Sequence, residues 1–578
     1  MATINKSKLT VILVALIVVF CLIMQTPANP KEKPLPPNII PVIFVKGTNY
    51  EMGYQYGYQV AERIKVTMDE RWVSAYKLLG DHDKILKWLQ AFQYYVKKWT
   101  PEIINELIGM AEGATDAGYP MSYIDTLLIQ TGPWFRFGLS PTATIPSPLE
   151  PLPPKEYKYN PPPRYEPGKR HGTSIHNEIL ETETAHGCSR WAAWGKATKD
   201  GKLVCGNSFD GGLGKQLNYI AFPDRGYPFI ACSYWFGEII RHPAMNTEGL
   251  WVSGGALPPP RDIDKNFGLI PPFGLRHLIQ FYDNAEKARD VVINKWRFTG
   301  GRVHNWLIAD SNNNGYIFEL TAALNTCRKA GDFGEKDWLA AANTFVIQEN
   351  AALNNPPSDP FHRDPRIIME WAFFDKYVGD IDLEFGKMLY RWHDPIGQFK
   401  GIGHRSNTSV HVGEPRTDDS GIMLSCTGTA GKNIIVGDGR RNMDTWYAFY
   451  TMPLKNDPTS VVHTSRWYAE EASKKADTAM RKLKVGFGTI SDYLALKKMF
   501  IDVSKVLYGG NNYLTDAQLT TGNESLYLLS KAITAYTKAE LMFNAISNLI
   551  NPPPEKPGDL GLEPIKMPLV SPYQWPKK

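Results

Sequence analysis

The 578-residue chain has little net charge: 64 Lys and Arg against 59 Asp and Glu leave +5. No Lys/Arg block appears beyond Arg481 to Lys484, so nothing in the sequence asks for nucleic acid as a partner. Cysteine is scarce, six in all, of which Cys21 falls in an apolar leader. The other five are Cys188, Cys205, Cys232, Cys327 and Cys426, with no CxxC, no HExxH and no clustered His/Cys spacing. No metal and no cofactor is therefore expected. An odd number in an exported chain points to one thiol held apart from any disulfide, with Cys188 the candidate. Alternatively all five are buried free thiols. The sequence also lacks internal repeats. At 43% hydrophobic and 21% charged residues, it is too apolar to be a disordered chain.

One long apolar run is present, Leu9 to Met24, preceded by Lys6 and Lys8 and ended by Thr26-Pro27-Ala28-Asn29-Pro30. Residues 1–30 read as a signal peptide or an uncleaved signal anchor. Either places the remainder outside the cytoplasm, secreted or held on the outer face of the cytoplasmic membrane by residues 9–24. Helical periodicity and a Pro at a first turn predict a helical section over residues 40–139, with a short strand at Ile40 to Val45 and helices from near Gly53 to Leu79, Lys84 to Trp99, Pro101 to Ala117 and Ser122 to Gln130. Residues 140–187 form a connector with ten prolines between Ser140 and Gly168, expected to be exposed and extended.

From Cys188 the pattern changes to strands, and residues 188–455 read as an α+β core with antiparallel sheets. Strands are expected at Cys188 to Trp194, Lys202 to Ser208, Asn218 to Phe222, Phe229 to Trp235, Leu250 to Ser253, His304 to Ile308, Gly315 to Glu319 and Asn343 to Ile347. Asp200-Gly201 predicts a two-residue hairpin between the first two. Helices are expected near Pro272 to Tyr282, Ala285 to Trp296 and Arg366 to Phe374. Residues 456–550 read as helical again, and 551–578 as a Pro-rich tail.

Chemistry centres on His186-Gly187-Cys188-Ser189-Arg190-Trp191. If the Gly187–Cys188 bond is cut, Cys188 carries both a thiol nucleophile and a free α-amino base. Ordinary pKa values are about 8 for the amine and 8.5 for the thiol, so a modest shift suffices at neutral pH. Gly187 leaves its carbonyl open to attack by the same thiol. The alternative is a buried strand cysteine.

With the blocks that follow it, the chain resembles the penicillin acyltransferase-like peptidases, a branch of the N-terminal-nucleophile (Ntn) hydrolases. It is more distantly similar to phospholipase B-like proteins, bile salt hydrolases and acid ceramidase. The resemblance extends over most of residues 40 to 450 and implies a four-layer αββα sandwich with helical extensions at both ends. Gly206-Asn207-Ser208-Phe209-Asp210 takes the place of a Gly-Arg-Asn-Leu-Asp type motif, which implies that Asp210 orients the new amine. Asn207 stands where many relatives carry Arg, with Arg190 or Arg405 as substitutes. Met245-Asn246-Thr247-Glu248-Gly249-Leu250 matches a turn-plus-strand block and implies a backbone oxyanion donor near Gly255 and Ala256. Ala342-Asn343-Thr344 matches a Thr-Asn-His strand, which gives Asn343 the side-chain oxyanion donor. The implied activity is self-processing followed by hydrolysis of a linear amide, or transfer of its acyl group, through a Cys188 thioester, with the fragments staying associated. The substrate is a small acylated amide or a lipid-like molecule. A lipid acyl esterase and an inactive, surface-anchored binding protein are the alternatives.

Overall fold

The computed structural model describes residues 40–136, 145–152, 188–210, 216–241, 243–257, 266–300, 304–322, 324–347, 364–392, 402–403, 407–418, 420–427, 432–435, 441–443, 446–450, 457–483 and 490–564. These form a mixed α+β structure. Its helices are α1 (Asn49–Leu79), α2 (His82–Trp99), α3 (Glu102–Asp116), α4 (Tyr123–Arg136), α5 (Pro271–Phe281), α6 (Ala285–Asn294), α7 (Pro365–Lys376), α8 (Leu383–Arg391), α9 (Pro458–Lys482), α10 (Ile490–Gln518) and α11 (Gly522–Ile550). Its first eight strands are β1 (Val42–Gly47), β2 (Arg190–Ala193), β3 (Val204–Asp210), β4 (Leu217–Pro223), β5 (Phe229–Ser233), β6 (Ala244–Asn246), β7 (Leu250–Ala256) and β8 (His304–Asp310). The others are β9 (Asn314–Leu320), β10 (Asn325–Lys329), β11 (Trp338–Ala341), β12 (Asn407–Glu414), β13 (Ile422–Thr427), β14 (Lys432–Ile435), β15 (Arg441–Met443) and β16 (Trp446–Tyr450).

Two sheets carry the core. One has the order β1-β4-β5-β6-β7-β8-β9-β10 and the other β11-β2-β3-β12-β13-β16. Strand β1 is parallel to β4 and the remaining pairs of both sheets are antiparallel. Alternation of side chains sorts each strand between two faces. Ile220, Trp251 and Leu307 of the first sheet meet Ala192, Cys205 and Leu339 of the second in one apolar cluster. On its other face the first sheet packs Tyr219, Val252 and Trp306 against α1–α6. The second sheet packs Trp191, Trp338 and Val410 against α7 and α8.

Local signals explain the helix ends. Thr48 accepts from the Glu51 N–H at 3.2 Å, and the Glu51 carboxylate accepts from the Thr48 N–H at 2.7 Å, forming a capping box that starts α1. Thr48→Ala is expected to cost about 1 kcal/mol, read as a lower urea midpoint with an unchanged slope. Helices α1 and α3 lie side by side through glycines. A Cβ added at Gly53, Gly57, Gly109 or Gly113 would overlap the backbone carbonyl of Glu106, Met110, Tyr50 or Tyr54 respectively. Helix α11 closes the open side of β1: Ser530 Oγ accepts from Phe44 N–H at 2.9 Å, and Thr534 Oγ1 accepts from Val42 N–H at 3.1 Å and donates to its carbonyl at 2.9 Å.

Three sequence expectations are corrected. Asp200-Gly201 is not a two-residue hairpin. The β2–β3 ladder ends at Ala193↔Val204, and residues 194–203 form a longer connection that turns aside because Thr198 bridges to Ile381 and the Lys199 N–H donates to the Ile381 carbonyl. Asn343 to Ile347 is not a strand. The ladder on β2 is made by Trp338–Ala341, while the Asn343 N–H goes to Asp364 and the N–H groups of Val346 and Ile347 go to the Glu319 carboxylate. The connector is not loose where it is described: Ile145, Leu149 and Leu152 pack on the helical cluster and the Pro151 carbonyl accepts from Gln93. The rest of it, Gly187 included, lies outside the described residues, as do the leader and Arg405. Cys188, Cys205, Cys232, Cys327 and Cys426 are all free thiols. Among the described residues no helix is long and apolar enough to cross a membrane.

Candidate active site

Strand β2 is an inner strand of its sheet, between β11 and β3, and Cys188 sits two residues before its start. Side chains extend the pairing beyond the ladder. Ser208 N–H donates to the Ser189 carbonyl at 2.8 Å, Ser189 N–H donates to Ser208 Oγ at 2.8 Å, and the two hydroxyls are 3.0 Å apart. This fixes Cys188 beside the end of β3. Its thiol is buried with Phe209, Tyr234 and Trp235. The Asp210 carboxylate accepts from Asn407 Nδ2 at 2.6 Å. Burial first, and then the Asp210 charge, push the Cys188 thiol up, while Arg190, the Asp210 N–H and Arg366 pull it down. The net direction is upward, so the resting group is a thiol and a base has to take its proton before it can attack.

Two guanidinium groups converge on the Cys188 carbonyl, Arg190 Nη2 at 3.3 Å and Arg366 Nη1 at 3.2 Å. Arg190 is fully buried between the sheets and also donates to the Asn305 carbonyl at 3.2 Å. Burial holds its pKa down, at about 10, against the opposing charges of Cys188 and Glu370, so it stays cationic at neutral pH. It lies over Gly255, where any Cβ would overlap the guanidinium; the absence of a side chain there is what admits it. Arg366 stands in the first turn of α7 and pairs with the helix's own N-cap, Asp364, through Nε at 2.9 Å and Nη2 at 2.6 Å. Burial works against its charge, and the Asp364 carboxylate outweighs burial and raises its pKa.

Arg366 also holds Asn343. Its Nη2 donates to Asn343 Oδ1 at 2.8 Å, and Asp364 Oδ2 accepts from the Asn343 N–H at 3.1 Å. With its oxygen so engaged, the amide turns its nitrogen toward the Ala256 carbonyl, to which Nδ2 donates. Cys188, Arg190, Gly255, Ala256 and Asn343 thus belong to one contact network, with Asp210 against the thiol. Asn207 pairs across the sheet with Arg190 on one side and His411 on the other, and its Nδ2 donates to the Ser208 carbonyl at 3.1 Å. Sequence reasoning missed Asp364 and Arg366. A signal was available: Asp364-Pro365-Arg366 is an N-cap followed by Pro and then a cation at the helix end where positive charge is disfavoured, which asks for a specific partner.

No group of three His, Cys, Asp or Glu among the described residues is placed to hold a metal. A cavity of about 370 Å³ opens between α8, α9 and α11, lined by Arg391, Trp467, Glu471 and Glu540 among others, and none of the residues around Cys188 lines it.

No family model matches the chain. An uncharacterized protein of Archaeoglobus fulgidus is 23% identical over 414 residues, which cover 66% of this chain and 62% of that protein, so the match spans less than two thirds of the relative's length. Among solved structures, a conjugated bile acid hydrolase from Clostridium perfringens is 14% identical, covering 42% of this chain and 89% of that one with a TM-score of 0.29. Penicillin V acylase from Agrobacterium tumefaciens is 12% identical, covering 42% and 84% with a TM-score of 0.29. Likenesses of this size carry no argument about what the chain acts on.

Proposed function

We propose that the chain is an Ntn-type thiol amidohydrolase or acyltransferase, its two sheets and flanking helices being the four-layer sandwich of that class and its leader taking it out of the cytoplasm. The observation that carries the reading is Cys188 at the head of an inner strand, with two guanidiniums on its carbonyl. In the processing step Cys188 Sγ loses its proton and attacks the Gly187 carbonyl carbon. The Gly187–Cys188 C–N bond breaks as the proton reaches the nitrogen, and water then hydrolyses the resulting thioester. Arg190 and Arg366 hold the Cys188 carbonyl, on the next peptide unit, while this happens. The freed α-amine, with a pKa of about 8, then takes the thiol proton as substrate arrives, and Asp210 orients it. The thiolate attacks the substrate's amide carbon and Asn343 Nδ2 donates to the oxyanion. The amine leaves with the proton carried by the α-ammonium, and water or an acceptor amine releases the acyl group. Phe209, Tyr234 and Trp235 around the thiol favour an apolar acyl group.

The test is denaturing electrophoresis of the purified protein with N-terminal sequencing. A fragment beginning Cys-Ser-Arg-Trp is expected, and an intact chain overturns self-processing and the amine base with it. Within this reading Asn343→Ala lowers kcat by about 10²- to 10³-fold, the usual loss for one oxyanion donor, with KM nearly unchanged. An equal rise in KM would instead mark Asn343 as a substrate-binding group.

A further inference from the structure

Glu370 lies one turn beyond Arg366 on α7 and is fully buried. Neither of its carboxylate oxygens has a hydrogen-bond partner among the described residues. A carboxyl so placed is held neutral unless nearby positive charge compensates. The groups around it are Arg366 and Asp364 from the start of α7, Ser189 from the head of β2 and Tyr390 from α8, while Arg190, on the other face of β2, acts on it through charge alone. The Ser189 hydroxyl is close enough to favour the ionised form while standing outside hydrogen-bond geometry. The Tyr390 hydroxyl is buried and equally without a partner. Arg366 does not need Glu370 for neutrality, because Asp364 already pairs with it at 2.6 Å. The chemistry proposed above uses both arginines and gives this acid no task.

We propose that Glu370 is a positioning residue acting through Arg366, one turn away on α7: when neutral it leaves that guanidinium to the Cys188 carbonyl and Asn343, and when ionised it draws it along the helix toward itself. Burial is the largest influence on Glu370 and pushes its pKa up to about 8, with Arg366 pulling it down, Asp364 pushing it up, and Arg190 and Ser189 pulling it down. Burial raises the thiol as well, so Glu370 changes state before the thiol does as pH rises. Arg366 is among the groups that lower the Cys188 thiol, so ionising Glu370 weakens that pull and the thiolate gains less with rising pH than it otherwise would. This inference rests on Cys188 being the reactive thiol and not on the bond before it being cut.

The experiment is the rate of iodoacetamide labelling of Cys188 in the full chain between about pH 6 and 10, read by mass spectrometry of the peptide that carries it so that the other cysteines do not contribute. Glu370→Gln keeps the volume and removes the titration. The variant is expected to match wild type near pH 6.5 and to label about 3-fold faster near pH 9, the effect of a half-unit shift in the thiol. Any α-amine at Cys188 titrates in both proteins and cancels in the ratio. Where Gln does not fold, Glu370→Met, similar in volume and equally neutral, is read in the same way. A ratio near one throughout overturns the proposal. Failure of the amidohydrolase reading is separate: an uncut, inactive chain still yields the labelling ratio.

Discussion

Cys188→Ala is expected to leave a single uncut chain and to lower amide turnover by about 10⁴-fold or more, the scale on which removal of a nucleophile is felt. The size of the effect follows from one residue carrying two functions. In the proposed mechanism, losing the thiol removes the attacking atom and, because the same thiol would make the cut, also keeps the α-amine from appearing, so no base remains to assist another nucleophile. Stability should change little, since the thiol is small and the Ser189–Ser208 contacts that fix the head of β2 are retained. A melting temperature close to wild type beside absent fragments and absent turnover is the expected pattern. Cys188→Ser sharpens it: a hydroxyl in the same place is a poorer nucleophile, and slow accumulation of the fragment over hours would place the limiting step in the attack itself. Cutting at the same bond in Cys188→Ala would mean that a protease other than the chain is responsible.

Gly109→Val is expected to destabilise the protein by more than about 3 kcal/mol, beyond the usual range for overpacking, or to prevent folding outright. What an added Cβ meets there is the Tyr50 carbonyl, part of the α1 backbone, and not the end of a flexible side chain. A helix backbone cannot turn aside locally. Helices α1 and α3 would have to separate along their length, which loosens Gly53, Gly57 and Gly113 as well and opens the cluster that contains Met52, Tyr56, Leu107 and Met110. Against a total of about 5–15 kcal/mol for a typical domain, one such wedge is decisive. Gly509→Ala in α10 is the control. Nothing lies within 4 Å of its Cβ position, so the better helix former should leave stability unchanged or raise it by up to about 1 kcal/mol. Equal denaturant midpoints for the two variants would refute the close-packing account.

Much of this architecture was legible because period and composition report local burial. Helices α1, α2 and α3 follow from their apolar spacing and caps, and β8 and β9 from short apolar runs buried on both faces. Local patterns fail where distant partners decide. Asp200-Gly201 has the composition of a tight turn, yet Ile381, far along the chain, takes the backbone groups that a hairpin would have paired. Asn343 follows an apolar run that reads as strand, but Asp364 and Arg366 capture it from a helix start. The site was legible to the same extent. Cys188, Arg190, Asp210 and Asn343 lie in or beside strands with recognisable order, whereas Arg366 and Glu370 act across a helix–sheet interface that has no local signature. The arginine expected at position 207 is absent from the strand, and two guanidiniums reach the Cys188 carbonyl from elsewhere.

The seal between β1 and α11 sets a timetable for synthesis. Phe44 and Ser530 are 486 residues apart, which at about 5–20 residues per second is roughly 25–100 s of elongation. Throughout that interval the outer edge of β1 lacks the hydroxyls that will satisfy it, and an unpaired strand edge is a template for pairing with another chain. A nascent chain therefore carries an uncovered strand edge early in synthesis and covers it late. Release before about residue 534 is expected to yield aggregates even though every strand of both sheets has already been made.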